Sequence, residues 1–166
     1  MKRRTLVSAA PLGLAAFLLG CTALTPAAVQ TAIQADTSAL AGALATVPSL
    51  LAAAGVTVSA SITTQLNSVL AEINSNAAAI ADAATAPPNT VTTIVSDIKL
   101  VAGLVTPFFP EAAVIVPIVD AALSIGTTLL SEAGVSLASA GPLPPPKYTP
   151  DQARVILRNA AAGGKT

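Results

Sequence analysis

The chain has 166 residues, 53% of them hydrophobic and 2% aromatic, with only 10% charged, eight basic against eight acidic, no His, no Trp and a single Cys. Without His there is no ordinary general base near neutral pH and no imidazole metal ligand, and one Cys makes neither a zinc cage nor an internal disulfide. Beyond Lys2, Arg3 and Arg4 there is no Lys/Arg cluster, so a nucleic-acid footprint is excluded, and a mean hydropathy of +0.73 is too high for a disordered chain. The length suits one domain, whose apolar surface must be buried in a protein core or in a bilayer.

The N-terminus reads Met1-Lys2-Arg3-Arg4, then runs without charge from Thr5 to Leu19 before Gly20-Cys21. A basic stretch followed by an apolar stretch too short to span a bilayer comfortably has the layout of a secretory signal. Leu18-Leu19-Gly20-Cys21 resembles the lipobox of bacterial lipoproteins. That resemblance implies cleavage before Cys21, a diacylglycerol thioether on its sulfur and an acyl chain on its new amino group, palmitate being the usual fatty acid. It also gives a lone Cys in an exported chain a purpose; the alternative is an ordinary signal peptide with Cys21 a spectator. Thr22 stands where an inner-membrane retention pattern would have Asp, so the resemblance implies the outer membrane, facing the periplasm. Arg3-Arg4 has a twin-arginine look, but general secretion is the expectation.

Removal of residues 1–20 takes away three basic residues and leaves 146 residues with a net charge of −3. Ala is abundant in this portion and aromatic residues are scarce, which favours helix and disfavours a β-sandwich or barrel. The expected fold is all-α: an Ala-rich antiparallel bundle of about four helices over 25–140, after a tether at 21–24. A Pro-rich linker at 141–148 and a short C-terminal helix with a flexible tail at 149–166 complete the chain.

The first helix is predicted from Thr25, whose hydroxyl can cap, with Pro26 in the first turn. Val29, Ile33, Leu40, Leu44 and Val47 share one face, with Gln30, Gln34 and Ser38 largely elsewhere. Pro48 ends or kinks this helix, and Ser49 to Ala54 continue as a turn or two. Ala54-Gly55-Val56 reads as a helix stop with Gly in the left-handed conformation, and the signature recurs at Gly134-Val135. A duplicated half would explain the recurrence; two helices that end by the same physics explain it better, because the following segments differ. Val56 to Ser61 alternate like a strand but lack a partner and are read as a connection.

A second helix is predicted from Ser61 on the stripe Ile62, Leu66, Val69, Ile73, Ala77 and Ile80, with Gln65, Ser68, Glu72, Ser75 and Asn76 on the other side, a solvated surface rather than a partner-binding face. Pro87-Pro88 breaks the chain, and Asn89 or Thr90 caps a third helix carrying Val91, Ile94, Val95, Ile98, Val101 and Val105. Thr106 to Pro110 turns the chain into the most hydrophobic segment, Glu111 to Ala133, with Glu111 in its first turn. Between Ala112 and Ser131, strong apolar side chains gain roughly 3–5 kcal/mol in a bilayer and Asp120 alone costs about 3, so the expectation is a buried bundle helix with the Asp120 carboxylate reaching solvent. Gly141 to Pro146 must be extended, either as a stiff spacer or as a ligand for an aromatic groove. Thr149-Pro150-Asp151-Gln152 resembles a capping box.

A search for chemistry finds little. Asp36, Glu72, Asp82, Asp97, Glu111, Asp120, Glu132 and Asp151 are scattered, without paired carboxylates or an Asp-rich metal loop. No Ser sits in a Gly-x-Ser-x-Gly turn, Lys99 and Lys147 have no nucleophile motif around them, and the closing Gly163-Gly164-Lys165-Thr166 only imitates the end of a phosphate loop. No catalytic residue, cofactor or metal is expected. The site residues are Leu18, Leu19, Gly20 and Cys21, for signal cleavage and, at Cys21, lipid attachment. The function expected is that of a non-catalytic, lipid-anchored cell-envelope protein, structural or partner-binding, with membrane lipid and an envelope protein or a second copy as partners. A lysis or pore accessory using segment 100–131 is the alternative. The short, Ala-rich, lipobox-bearing style is similar to that of small prophage lipoproteins.

Overall fold

The Thr25 hydroxyl accepts a hydrogen bond from the Ala28 N–H at 3.3 Å and starts α1, Pro26–Leu44, with Pro26 in its first turn. A computed structural model describes residues 25–163 of the chain. Then come α2, Val47–Ala53; α3, Ala60–Asp82; α4, Pro88–Val105; α5, Val116–Glu132; and α6, Pro150–Ala161, with short 3-10 turns before and after α5. Among the described residues there is no strand. The molecule is an all-α bundle, as composition and periodicity predict.

Gln30 and Gln34 near the start of α1 donate to Ile80 and Ala81 at the end of α3, so these helices run antiparallel. The five-residue link 83–87 turns the chain back into α4, and α4 packs on α5. The last helix, α6, lies in the groove between α1 and α5. Its residues Arg154 and Ala161 meet Asp36 and Gly42 of α1 in the same order, so α6 runs parallel to α1. A Cβ on Gly42 would stand 3.1 Å from the Ala161 Cβ, so the missing side chain sets how closely the two helices approach.

The core is the sum of the predicted stripes. Ile33, Leu40, Leu44 and Val47 are buried against Leu66, Ile73 and Ile80, and every member of the α4 stripe from Val91 to Val105 is buried. Burial of this kind stabilises by about 25 cal/mol per Å² of apolar surface, and it is what holds the bundle. Ala153 and Leu157 of α6 belong to the same core, so the final helix is an integral member of the bundle beyond the 25–140 span assigned from sequence.

Several boundaries and orientations differ from expectation. Gln30 is buried, because its amide faces the α3 terminus and its oxygen accepts from the Ala86 N–H. Ser59 caps α3, accepting from Ile62 N–H, so the helix begins at Ala60, one residue ahead of the predicted start. Pro87 is the cap residue of α4 and Pro88 its first residue; neither Asn89 nor Thr90 caps, since Pro at the first position needs no acceptor for the N–H it lacks. Glu111 lies outside α5, whose first turn holds Pro117.

Gly55 and Gly134 have φ of 74° and 68°. The N–H of Val56 donates to Leu51 O at 3.1 Å and that of Val135 to Leu130 O at 2.8 Å, and the glycine N–H groups donate to Ala52 O and Ser131 O. Both helices therefore end in the same 6→1, 5→2 motif, which accounts for the recurring sequence signature. A Cβ at either glycine would meet nothing within 4 Å, so only backbone strain opposes it. Gly55→Ala and Gly134→Ala should each cost about 1 kcal/mol. Gly103→Ala, inside α4 and facing open space at ordinary φ, should instead stabilise by about 0.5–1 kcal/mol, and denaturant unfolding of the three variants checks both signs.

Candidate functional site

The densest polar constellation gathers where α6 crosses α1 and α5. Arg154 donates from Nε to Asp36 Oδ1 and from Nη2 to Asp36 Oδ2, both at 2.8 Å. Nη2 also reaches Glu132 Oε1, and Nη1 reaches Asp151 Oδ1, each at 3.3 Å. The Asp36 side chain is only 5% exposed. An isolated carboxylate there would be strongly destabilising, and the planar guanidinium answers it with two parallel bonds.

The electrostatics follow from this packing. Burial, and then the charge of Asp36, raise the Glu132 carboxyl above its usual range, while Arg154 opposes the shift. Hydrogen bonding to Asp36 holds Arg154 still more firmly in its charged form. Beside the cluster lies a cleft of about 320 Å³ over Ala32, Ala35 and Ala39, side chains too short to fill the space between α1 and α6, with Arg158 at its rim. Arg154 occupies the centre of the three carboxylates, and its single charge offsets part of theirs. Among the described residues no group of three acidic, Cys or His side chains is placed to hold a metal ion. The arrangement acts as a clasp between the first helix and the last.

Two further polar features bear on the bundle. Asp120 on α5 pairs with Lys147 at 2.9 Å; its carboxylate is 12% exposed and points to the lysine rather than freely to solvent. Ser124, one turn on, donates to Asp120 O at 2.7 Å and accepts from the Tyr148 N–H at 3.4 Å, so the extended segment 141–148 is pinned where it enters α6. On α4, Asp97 is buried, with Oδ2 unpaired, and the Nδ2 of Asn76 on α3 is likewise unpaired. Burial, reinforced by the charge of Glu72, pushes the Asp97 carboxyl from 3.8 up to about 6.

An apolar groove of about 630 Å³ opens at the end of the bundle where α1 gives way to α2, lined by Leu50, Val114, Pro117, Ile118, Ile156 and Ala160 among others. Val114 there is 55% exposed. A second hollow, about 510 Å³, lies under the Pro142–Pro146 arch.

Leu18, Leu19, Gly20 and Cys21 lie outside the described residues. So do Gly164, Lys165 and Thr166, while Gly163, at φ 81°, closes α6. The carboxylates that seem scattered in sequence are partly collected by the fold: Asp36, Glu132 and Asp151 meet at Arg154, whereas Asp97 and Asp120 stay apart from them. No protein family, curated protein or solved structure matches the chain.

Arg154→Ala leaves Asp36 buried without a partner and should cost about 3 kcal/mol, with Arg154→Lys recovering only part because an ammonium cannot bond both oxygens in the guanidinium geometry. Lys147→Ala, at a lysine that is 65% exposed, should cost under about 1 kcal/mol. Thermal unfolding of the three proteins checks this order.

Asp97 gives a pH dependence of opposite sign to an ordinary salt-bridged carboxylate. Between about pH 4 and 6 the folded protein keeps a proton that the unfolded chain, at 3.8, has already released. Its contribution therefore falls as pH rises through that window and is level above it. Asp97→Asn should stabilise at pH 7, by up to about 3 kcal/mol, and lose that gain at pH 4.

Proposed function

We propose that the protein is a non-catalytic, lipid-anchored cell-envelope protein, structural or partner-binding, held at a bacterial membrane by acyl chains on Cys21 and carrying its bundle on the periplasmic side of the outer membrane. The single observation that carries this reading is the adjacency of two features. Lipobox-like residues end at Cys21, and a capped helix of a bundle with its own buried core begins four residues later, at Thr25. Its partners on this reading are membrane lipid and another envelope component.

Three apolar aspartate-bearing helices support a packed bundle over a spanning one. Pro26–Ala53, Pro88–Phe108 and Ala113–Glu132 are each long and apolar enough to cross a membrane by length and composition. Each also carries an acid, Asp36, Asp97 and Asp120 respectively, that costs about 3 kcal/mol at a bilayer centre. In the bundle Asp36 meets Arg154, Asp120 meets Lys147, and burial raises the proton affinity of Asp97. The same three helices favour the second reading, a membrane-active lysis or pore accessory using segment 100–131, whose last part has a mean hydropathy of 2.0.

The mass of the membrane-extracted protein tests the anchor: a chain beginning at Cys21 and carrying three acyl groups is expected, and an unmodified thiol contradicts it. Three chains at about 0.8 kcal/mol per buried methylene hold a protein permanently, so Cys21→Ala should move it from the membrane to the soluble fraction. Retention of Cys21→Ala in membranes after a carbonate wash, with leakage of dye-loaded vesicles, would favour the membrane-active reading.

A further inference from the structure

We infer that the pole of the bundle formed by the first turn of α1 and the connection between α3 and α4 rests on the lipid headgroups, holding the apolar groove at the opposite pole away from the bilayer. The inference rests on the Cys21 anchor proposed above and adds an orientation to it. Only Thr22, Ala23 and Leu24 separate Cys21 from Thr25. Four residue steps span at most about 14 Å even when fully extended, so Thr25 stays close to the membrane surface. The 19 residues of α1 then run for about 28 Å to its other end, where the groove opens.

The α3–α4 connection shares the anchored pole because α1 holds it there. Gln30 donates from Nε2 to Ile80 O at 3.2 Å and to Ala83 O at 3.0 Å and accepts from the Ala86 N–H; Gln34 donates to Ala81 O at 3.0 Å. Buried Gln30 satisfies the end of α3 and the start of the link, so the two chain segments move as one surface. Residues 25–31 and 82–93 present Ala, Pro, Thr and Asn, and Asp82 is their only charged residue. Such a surface meets headgroups with a single charged side chain, the exposed Asp82, to keep hydrated.

The flanks of the bundle are less suited to lie on lipid. The exposed side of α3 carries Gln65, Asn67, Ser68, Glu72 and Ser75, and the α6 side carries Asp151 and Arg158. Laying either flank down would strip water from those groups, whereas standing on the pole leaves them wet.

The test uses the lipidated protein in vesicles of phosphatidylethanolamine and phosphatidylglycerol that contain a headgroup-nitroxide lipid. A fluorophore is attached through Thr85→Cys at the anchored pole or through Ser49→Cys in the far groove, both exposed positions. Quenching at Thr85 and none at Ser49 is expected. Equal quenching at both positions means that the bundle lies on its side and overturns the inference. Quenching at Ser49 alone means that the far pole faces lipid, and quenching at neither means that the bundle stands clear; either overturns it as well. The mass of the same sample separates the two claims: with Cys21 acylated, a failed quenching pattern sinks only the orientation, whereas an unmodified Cys21 sinks the anchor and the orientation together.

Discussion

The bidentate pair between Asp36 and Arg154 ties the first helix to the last across a sequence separation of 118 residues, and the packing of α6 depends on it. Around it, Ala32, Ala35 and Ala39 line a cleft that they do not fill, and Gly42 faces Ala161, so these short side chains do little to fix the register of α6 on α1. An arginine fork on a carboxylate has one geometry, so it fixes the register that the alanines leave loose. Once that register is set, Leu157 and Ala153 fall into the core and Gly42 receives Ala161. A paired buried charge adds little net stability compared with a well-packed apolar substitute, and its effect here is to specify how the chain closes.

The second constraint is hydropathy. Among the described residues three helices carry enough apolar surface for a bilayer, and the bundle resolves this by turning their stripes on one another. Each of those helices also carries one aspartate, and the fold gives each a different solution: a guanidinium for Asp36, an ammonium for Asp120, and a raised proton affinity for Asp97. The unpaired Oδ2 of Asp97 marks the least satisfied of the three.

The helical stripes were legible because a 3.6-residue period is written in adjacent residues, and Leu66, Ile73, Ile94 and Ile98 are buried as their spacing requires. The stops at Gly55 and Gly134 and the capping box at Thr149–Gln152 were legible for the same reason: each is a motif of four to six consecutive residues. What the sequence left hidden is non-local. Nothing near Asp36 announces Arg154, and nothing near Gln30 announces the α3 terminus, so Asp36 read as one of several scattered acids and Gln30 as a polar residue off the apolar face. The amphipathic pattern of α6, with Arg154 flanked by Ala153 and Leu157, held the one available signal that this helix buries a face against the bundle. The extended proline segment before it read as a boundary, although Lys147 and Tyr148 bind it to α5. The residues read as the lipid-attachment site lie ahead of the described fold.

The central claim is that α6, through the clasp, is part of one cooperative unit with α1, α4 and α5. Native-state hydrogen exchange measures this directly. The amides of Ile156 and Leu157 in α6 and those of Ile98 and Ile125 in α4 and α5 should open with the same free energy, equal to that of global unfolding. Exchange of the α6 amides through a separate opening several kcal/mol cheaper than that of Ile98 and Ile125 would contradict it, and would make the last helix an appendage on a four-helix core.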